Sequence, residues 1–303
     1  MALAAAHEAA SSQHYPKGAL YVVGSPIGNL ADISLRALHV LQLADTLACE
    51  DTRHTQALLR AYGIQKSGEH LLAVHQHNEI EAAGLVVERL RLGQRVAYAS
   101  DAGTPAVSDP GARLVAAVRC AGLTVVPIPG ASSVTAGLSV AGVTADGANG
   151  GGFVFAGFLP SRSAERATRV AMLATEARAV VLLEAPHRIE ALAAALSSLG
   201  QRRLTIGREL TKQFEEIATV SAAQFAPWLA ADSNRSRGEF VLVLHPELVP
   251  EQVGDEIRVL KLLLAELPLK TAVRLAADMT GASRNVLYEA ALEIKKAGPQ
   301  APD

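Results

Sequence analysis

Short apolar runs alternate with amphipathic stretches through the first half of the chain, the pattern of repeated βα units on a largely parallel sheet. The runs at 19–23, 46–49, 71–74, 96–99 and 124–128 read as strands, and the stretches 34–43, 55–62, 79–92 and 110–121 as helices, bounded by Gly, Asp or Ser. A small-residue helix at 132–141 and a Gly-rich tract at 142–152 follow. Strand patterns then resume at 153–157, 179–183, 204–207, 217–220 and 239–244, several spaced closely enough to be antiparallel. Beyond Pro250 the strand pattern stops. The segments 255–266, 269–280 and 283–296 are helical, and the joint Thr280-Gly281-Ala282 has the brevity of a helix-turn-helix.

These elements predict an α/β protein of two α/β domains, the first with a mostly parallel sheet and the second with a mixed one, plus a small C-terminal helical domain. The expected boundaries are a disordered tail at 1–17, domains at 18–128 and 129–247, and the helical domain at 250–298.

Composition narrows the class. In 303 residues, 50% hydrophobic and 19% charged, there is material for a large core in more than one domain. A formal net charge of -2 argues against a general cationic coat. Locally the balance differs: Pro160 to Lys212 holds nine Lys/Arg against five Asp/Glu, a strip where a polyanion could dock, although Arg162, Arg166 and Arg169 taken alone read as a solvated helix face. Residues 250–303 carry seven Lys/Arg and eight Asp/Glu, so the helical domain either binds nucleic acid or only packs. Cys49 and Cys120 are too few and too distant for a zinc cluster or redox pair; both are expected to be buried, in a reducing compartment. No apolar run reaches membrane-spanning length and the first residues lack a basic n-region, so the expected location is cytoplasmic, with no membrane partner.

Candidate chemistry gathers at the strand ends. The segment from Ser100 to Gly111 joins a strand to a helix through two aspartates, two prolines and two glycines, with Asp109 and Pro110 expected as N-cap and first helical residue. Rigid loops at carboxyl strand ends are where open α/β sheets hold ligands. Gly24-Ser25-Pro26-Ile27-Gly28-Asn29 follows the first strand. Pro26 stands where a dinucleotide fingerprint needs its second glycine, which disfavours a dehydrogenase. Glu50-Asp51-Thr52-Arg53-His54 is either a solvated helix start capped by Asp51 or Thr52, or a face toward a polar substrate. Pro129-Gly130-Ala131-Ser132-Ser133 opens a helix whose N–H groups and small side chains suit close approach by a ligand. His75 and His77 lack further ligands at a recognisable spacing, so no metal site is expected and Asn78 is read as a helix cap.

The ordered motifs Gly24-Ser25-Pro26-Ile27-Gly28-Asn29-Leu30, Glu50-Asp51-Thr52-Arg53-His54-Thr55, Ser100-Asp101-Ala102-Gly103-Thr104-Pro105 and Arg208-Glu209-Leu210-Thr211-Lys212 give the chain its likeness. From about Gly18 to Lys296 it resembles the tetrapyrrole methylase superfamily, and within it the enzymes that methylate the ribose 2'-hydroxyl of a cytidine in small-subunit ribosomal RNA. The resemblance implies S-adenosyl-L-methionine as cofactor, held in a cleft between two α/β domains, a homodimer, and a decoding-region cytidine of 16S rRNA in the small ribosomal subunit as substrate. By motif match, Pro26, Asp101, Ala102, Gly103, Pro105, Ser132, Ser133, Phe158 and Leu159 would bind the cofactor. Arg53, His54, Arg188 and Arg208 would face the RNA, and Lys212, Glu209 and Glu184 are the catalytic candidates. His187 is a further proton acceptor by residue type. Lys212 is open to two roles, general base or phosphate clamp. Ala131 stands where a proline is usual, and Leu183 where an aromatic is usual. A tetrapyrrole methylase and a non-enzymatic RNA-binding module are the competing functions.

Overall fold

Five parallel strands, β1 (Ala19–Val23), β2 (Thr46–Cys49), β3 (Leu71–Ala73), β4 (Val96–Ala99) and β5 (Thr124–Ile128), form the first sheet in the order β3-β2-β4-β1-β5. The structure is a computed structural model, and it describes residues 2–75, 77–107, 111–144, 152–247 and 255–296. Helices α2 (Leu35–Leu43), α3 (Thr52–Ala61), α4 (Glu79–Arg91) and α5 (Gly111–Cys120) connect the strands. Successive strand residues point to opposite faces, so Tyr21 and Leu47 join a core with Leu38, Leu41 and Leu59, while Leu20 and Tyr98 join another with Val86, Leu90 and Leu114.

Residues 2–10, expected within a frayed tail, form helix α1 (Ala2–Ala10). Its small side chains let Ala6 and Ala10 bury against Ala37, Leu38 and Leu41 of α2. Tyr15 anchors its end, donating its hydroxyl to the Ala10 carbonyl at 3.1 Å and lying 5.0 Å, ring to ring, from His39. The alanines of this expected tail form a close-packing face.

The second sheet contains β6 (Phe153–Gly157), β7 (Ala179–Glu184), β8 (Arg203–Arg208), β9 (Glu216–Ser221) and β10 (Phe240–Leu244) in the order β6-β7-β10-β8-β9. β6 and β7 pair in parallel and the remaining pairs are antiparallel, the mixed sheet expected. Helices α7 (Ser163–Ala174), α8 (Ile189–Leu196) and α9 (Phe225–Ala230) pack on one face over Leu182, Ile206 and Leu242. The other face takes α6 (Ser133–Ala141), whose Val134 and Ala141 meet Val181, Val241 and Val243.

The chain divides into two units, Met1–Pro246 and Glu247–Asp303. The expected domains 18–128 and 129–247 are thus two lobes of one unit. The second unit consists of α10 (Asp255–Glu266), α11 (Leu269–Thr280) and α12 (Arg284–Lys296) around Leu260, Val273, Ala276, Leu287 and Ala291, with the short joint expected between α11 and α12. Cys49 is buried, but Cys120, expected to be buried too, is exposed at the end of α5. Asp109 and Pro110, read as a helix start, lie outside the described residues. No helix among the described residues is long and apolar enough to cross a membrane.

Candidate active site

Because β1 lies between β4 and β5, the loops leaving these three strands are neighbours although they are far apart in sequence. The Gly24 N–H donates to the Ile128 carbonyl at 3.0 Å, and the Ser25 N–H to the Gly103 carbonyl at 2.9 Å. Ser25 Oγ reaches the Ser100 carbonyl at 3.3 Å, and Thr104 Oγ1 the Ala131 carbonyl at 3.0 Å. Gly24 and Gly130 touch backbone to backbone: a Cβ on Gly130 would sit 2.6 Å from the Gly24 carbonyl oxygen. The three loops are therefore one rigid surface.

The neighbouring loop after β2 is tied to it through Asp101, whose Oδ1 accepts the Asp51 N–H at 3.3 Å. Asp51 caps α3, accepting from the Arg53 and His54 N–H groups. The Arg53 side-chain hydrogen bond, with help from these backbone donors, holds the Asp51 carboxyl down to about 2. Between the two readings of this cluster, the local structure is a capped helix start. Arg53 is 90% exposed and paired with Asp51, His54 is exposed, and Glu50 faces the cavity.

That cavity, about 250 Å³, is walled on one side by Ala102, Gly103, Ser132 and Ser133 and on the other by Lys212 and Glu239. A smaller chamber of about 160 Å³ adjoins it, lined by Phe158, Leu183, Glu184 and Phe240, and shares Ser133 and Glu239 with it. Together they reach the lower part of the roughly 300–1,000 Å³ typical of small-molecule sites. Pro26 and Pro105 are buried in the supporting loops rather than lining the cavity, and Leu159 is buried in the second core. Ser132 holds the N-cap position of α6 without a side-chain capping bond.

The loop after β8 shapes the opposite wall. Glu209 and Thr211 adopt positive φ, 52° and 68°, in a region that costs a non-glycine residue about 1–3 kcal/mol. The surroundings hold them there. Glu209 Oε1 accepts from Lys212 Nζ at 2.8 Å and from the Glu239 N–H at 2.9 Å, and the Glu209 N–H donates to the Glu239 carbonyl at 2.9 Å. Gly238 leaves the space the Glu209 side chain fills, since a Cβ there would overlap it. Lys212 Nζ also donates to Glu239 Oε2 at 2.9 Å. Partial desolvation is the largest single effect on Lys212 and opposes its charge, but the hydrogen bonds and charges of Glu209 and Glu239 together outweigh it and raise the pKa. Lys212 is therefore an ammonium at neutral pH. Glu209 is likewise lowered, its desolvation outweighed by Lys212 and the Glu239 N–H.

Arg208, expected to face RNA, is buried. It pairs with Glu216 at 3.4 Å and donates to the carbonyls of Asn234, Arg237 and Phe214, so it braces the loop from behind. Arg188 donates to the Leu159 carbonyl and lies 3.1 Å from Glu184 Oε1. Part of the basic strip is taken up in the same way, while Arg162, Arg169, Arg178 and Arg203 stay exposed. Arg202 is buried among four carbonyls, Arg178 pairs with Glu176, Arg162 with Glu165, and Arg166, expected on a solvated face, is buried against the Pro160 and Ser161 carbonyls. Charge counting along a sequence does not see that backbone carbonyls take up arginines. Asn78 holds the N-cap position of α4 as expected, but its side chain binds the His75 N–H and the Ala73 carbonyl and makes no capping bond. Glu239 was missed by sequence reasoning; its signal is the Gly238-Glu239 pair just before an apolar strand.

A two-lobed α/β unit with its cavity at the strand ends is the architecture of a family that matches this chain. The profile of the Tetrapyrrole (Corrin/Porphyrin) Methylases covers residues 19–226, and the chain belongs to that family, as a methyltransferase. Residues 250–295 match the RsmI C-terminal HTH domain. Among its full-length relatives are proteins named ribosomal RNA small subunit methyltransferase I, and with them it forms one branch of the family. That of Pseudomonas aeruginosa is 45% identical, covering 91% of this chain and 97% of that protein; that of Neisseria meningitidis serogroup B is 49% identical, covering 92% and 94%. Among solved structures, uroporphyrin-III-C-methyltransferase from Thermus thermophilus superposes with a TM-score of 0.53 at 20% identity, covering 76% of this chain and 94% of that one. Diphthine synthase reaches 0.57 at 16%, covering 75% and 90%, a likeness of fold.

Proposed function

We propose that this protein transfers a methyl group from S-adenosyl-L-methionine to the ribose 2'-hydroxyl of a cytidine in the decoding region of 16S rRNA, in the small ribosomal subunit, and that it works in the cytoplasm as a homodimer. The observation that carries the chemistry is the Lys212 ammonium fixed between Glu209 and Glu239 on the wall facing the three rigid loops. The full-length relatives named for ribosomal RNA support the substrate.

The cavity suits the cofactor: Ala102, Gly103, Ser132 and Ser133 line it with small side chains that allow close approach, and the carboxylates Glu50 and Glu239 suit a cationic group. When bound, the cofactor supplies an electrophilic methyl on positively charged sulfur. Ala102, Gly103, Ser132 and Ser133 position it, and alignment carries most of the rate. Lys212, charged and hydrogen-bonded, fills the clamp role and holds a phosphate or the reacting oxygen. Glu239, 72% exposed and lining both chambers, takes the hydroxyl proton, while Glu209 fixes Lys212 from behind. Arg53 and His54, exposed at the start of α3, are the RNA contacts on the first lobe.

The test is incubation with methyl-labelled S-adenosylmethionine and, separately, small subunits, naked 16S rRNA and a porphyrinoid precursor. Label on the 2'-oxygen of one cytidine is expected. Label on the porphyrinoid alone would overturn the RNA assignment.

A further inference from the structure

We propose that the smaller chamber is a nucleobase subsite in which Glu184 recognises an exocyclic amino group. The proposal rests on the reading above that nucleoside-bearing ligands enter this cleft. Glu184 ends β7, and its side chain is 1% exposed. Its Oε1 accepts the Ala185 N–H at 2.9 Å, while Oε2 is buried with no hydrogen-bond partner among the described residues. A buried carboxylate oxygen without a donor is costly, so this site calls for a donor brought by a ligand.

Charge and shape define that donor. Arg188 Nε, 3.1 Å from Oε1, already balances the carboxylate, which favours a neutral N–H over a second cation. Apart from Ser133 and Glu239, which it shares with the larger cavity, the remaining lining is apolar: Leu183, Ala185, Phe240, Val241 and Phe158, a residue 52% exposed and available for stacking. A volume of about 160 Å³ suits one flat ring system. Adenine, cytosine and guanine are planar, neutral, amino-bearing rings whose amino groups a carboxylate accepts from, and the ligands proposed above bring adenine and cytosine. Adenine would come from the methyl donor and cytosine from the RNA. The shared Ser133 and Glu239 connect the subsite to the larger cavity, where the methyl is transferred.

Removing the amino group separates the two sources. One arm compares calorimetric binding of S-adenosylhomocysteine and its deaminated analogue S-inosylhomocysteine to the full-length protein. The other compares binding of small-subunit RNA carrying cytidine or its 4-deaminated analogue at the methylated position. A loss of tenfold or more in one arm is expected and identifies the base. The double variant E184M/R188M, which removes both members of the ion pair, should erase that preference while still binding the deaminated ligand. Equal affinity of the wild type for parent and deaminated ligands in both arms would overturn the proposal, leaving Glu184 as a structural ion pair. Should the labelling experiment fail on RNA while the S-inosylhomocysteine arm still discriminates, the substrate assignment falls and the subsite stands.

Discussion

Lys212 acts through the company it keeps. With Glu209 and Glu239 raising its pKa, the ammonium persists across the neutral and mildly alkaline range. Lys212→Ala is expected to slow methyl transfer by roughly 10²–10⁴-fold while leaving donor affinity nearly intact. The ratio of wild-type to Lys212→Ala rates should stay constant between about pH 7 and 9, because the folded-state pKa lies above the ordinary lysine value of about 10.4. A ratio climbing tenfold per pH unit would instead mark a lysine that must lose its proton. Gly130→Ala tests the opposite wall. Its Cβ would press on the Gly24 carbonyl, so a loss of about 1–3 kcal/mol in denaturant unfolding is expected, with weaker donor binding by calorimetry. At this scale the sequence was partly legible. Glycine and proline at strand ends announce rigid loops, but the carbonyls of Asn234 and His245 that Arg208 and Arg202 bind are brought close only by folding.

Among the elements, the α1–α2 contact carries a proton-sensitive group. Burial, reinforced by the nearby His7, lowers the His39 pKa, and His39 Nδ1 is buried without a hydrogen-bond partner among the described residues. Its folded-state pKa lies below that of the unfolded chain, so the unfolded state takes up the proton first and stability falls as pH drops through about 6.5. Urea midpoints at pH 7.5 and 5.5 should therefore diverge, and His39→Leu should shrink that part of the divergence. An unchanged difference would remove His39 as its source. Periodicity revealed the strands, with ends agreeing to within about two residues in most cases. It missed α1 because alanine carries little amphipathic contrast, and α8 and α9 because they are short apolar segments lying between strands.

At the scale of the molecule, every residue lining the two chambers precedes Pro246. A chain ending at Pro246 should bind the methyl donor with unchanged affinity by calorimetry, and its transfer to RNA then measures what the last three helices contribute. A tenfold loss of donor affinity would mean that the cleft depends on them. The alternation of apolar and amphipathic segments was enough to foresee two sheets of different character and a helical end. The order of strands within each sheet was out of reach, since it depends on which hydrophobic faces meet.

That order has a consequence for how the protein is made. β10, the last strand synthesised among the described residues, takes the place between β7 and β8 and brings Glu239 with it. Until it emerges, β7 and β8 each present an unpaired edge and Lys212 lacks one of its two carboxylates. The nascent chain thus passes through most of its length as an incomplete sheet with an unfinished wall, and a product cut short before Phe240 would be inactive and prone to stick to its own kind.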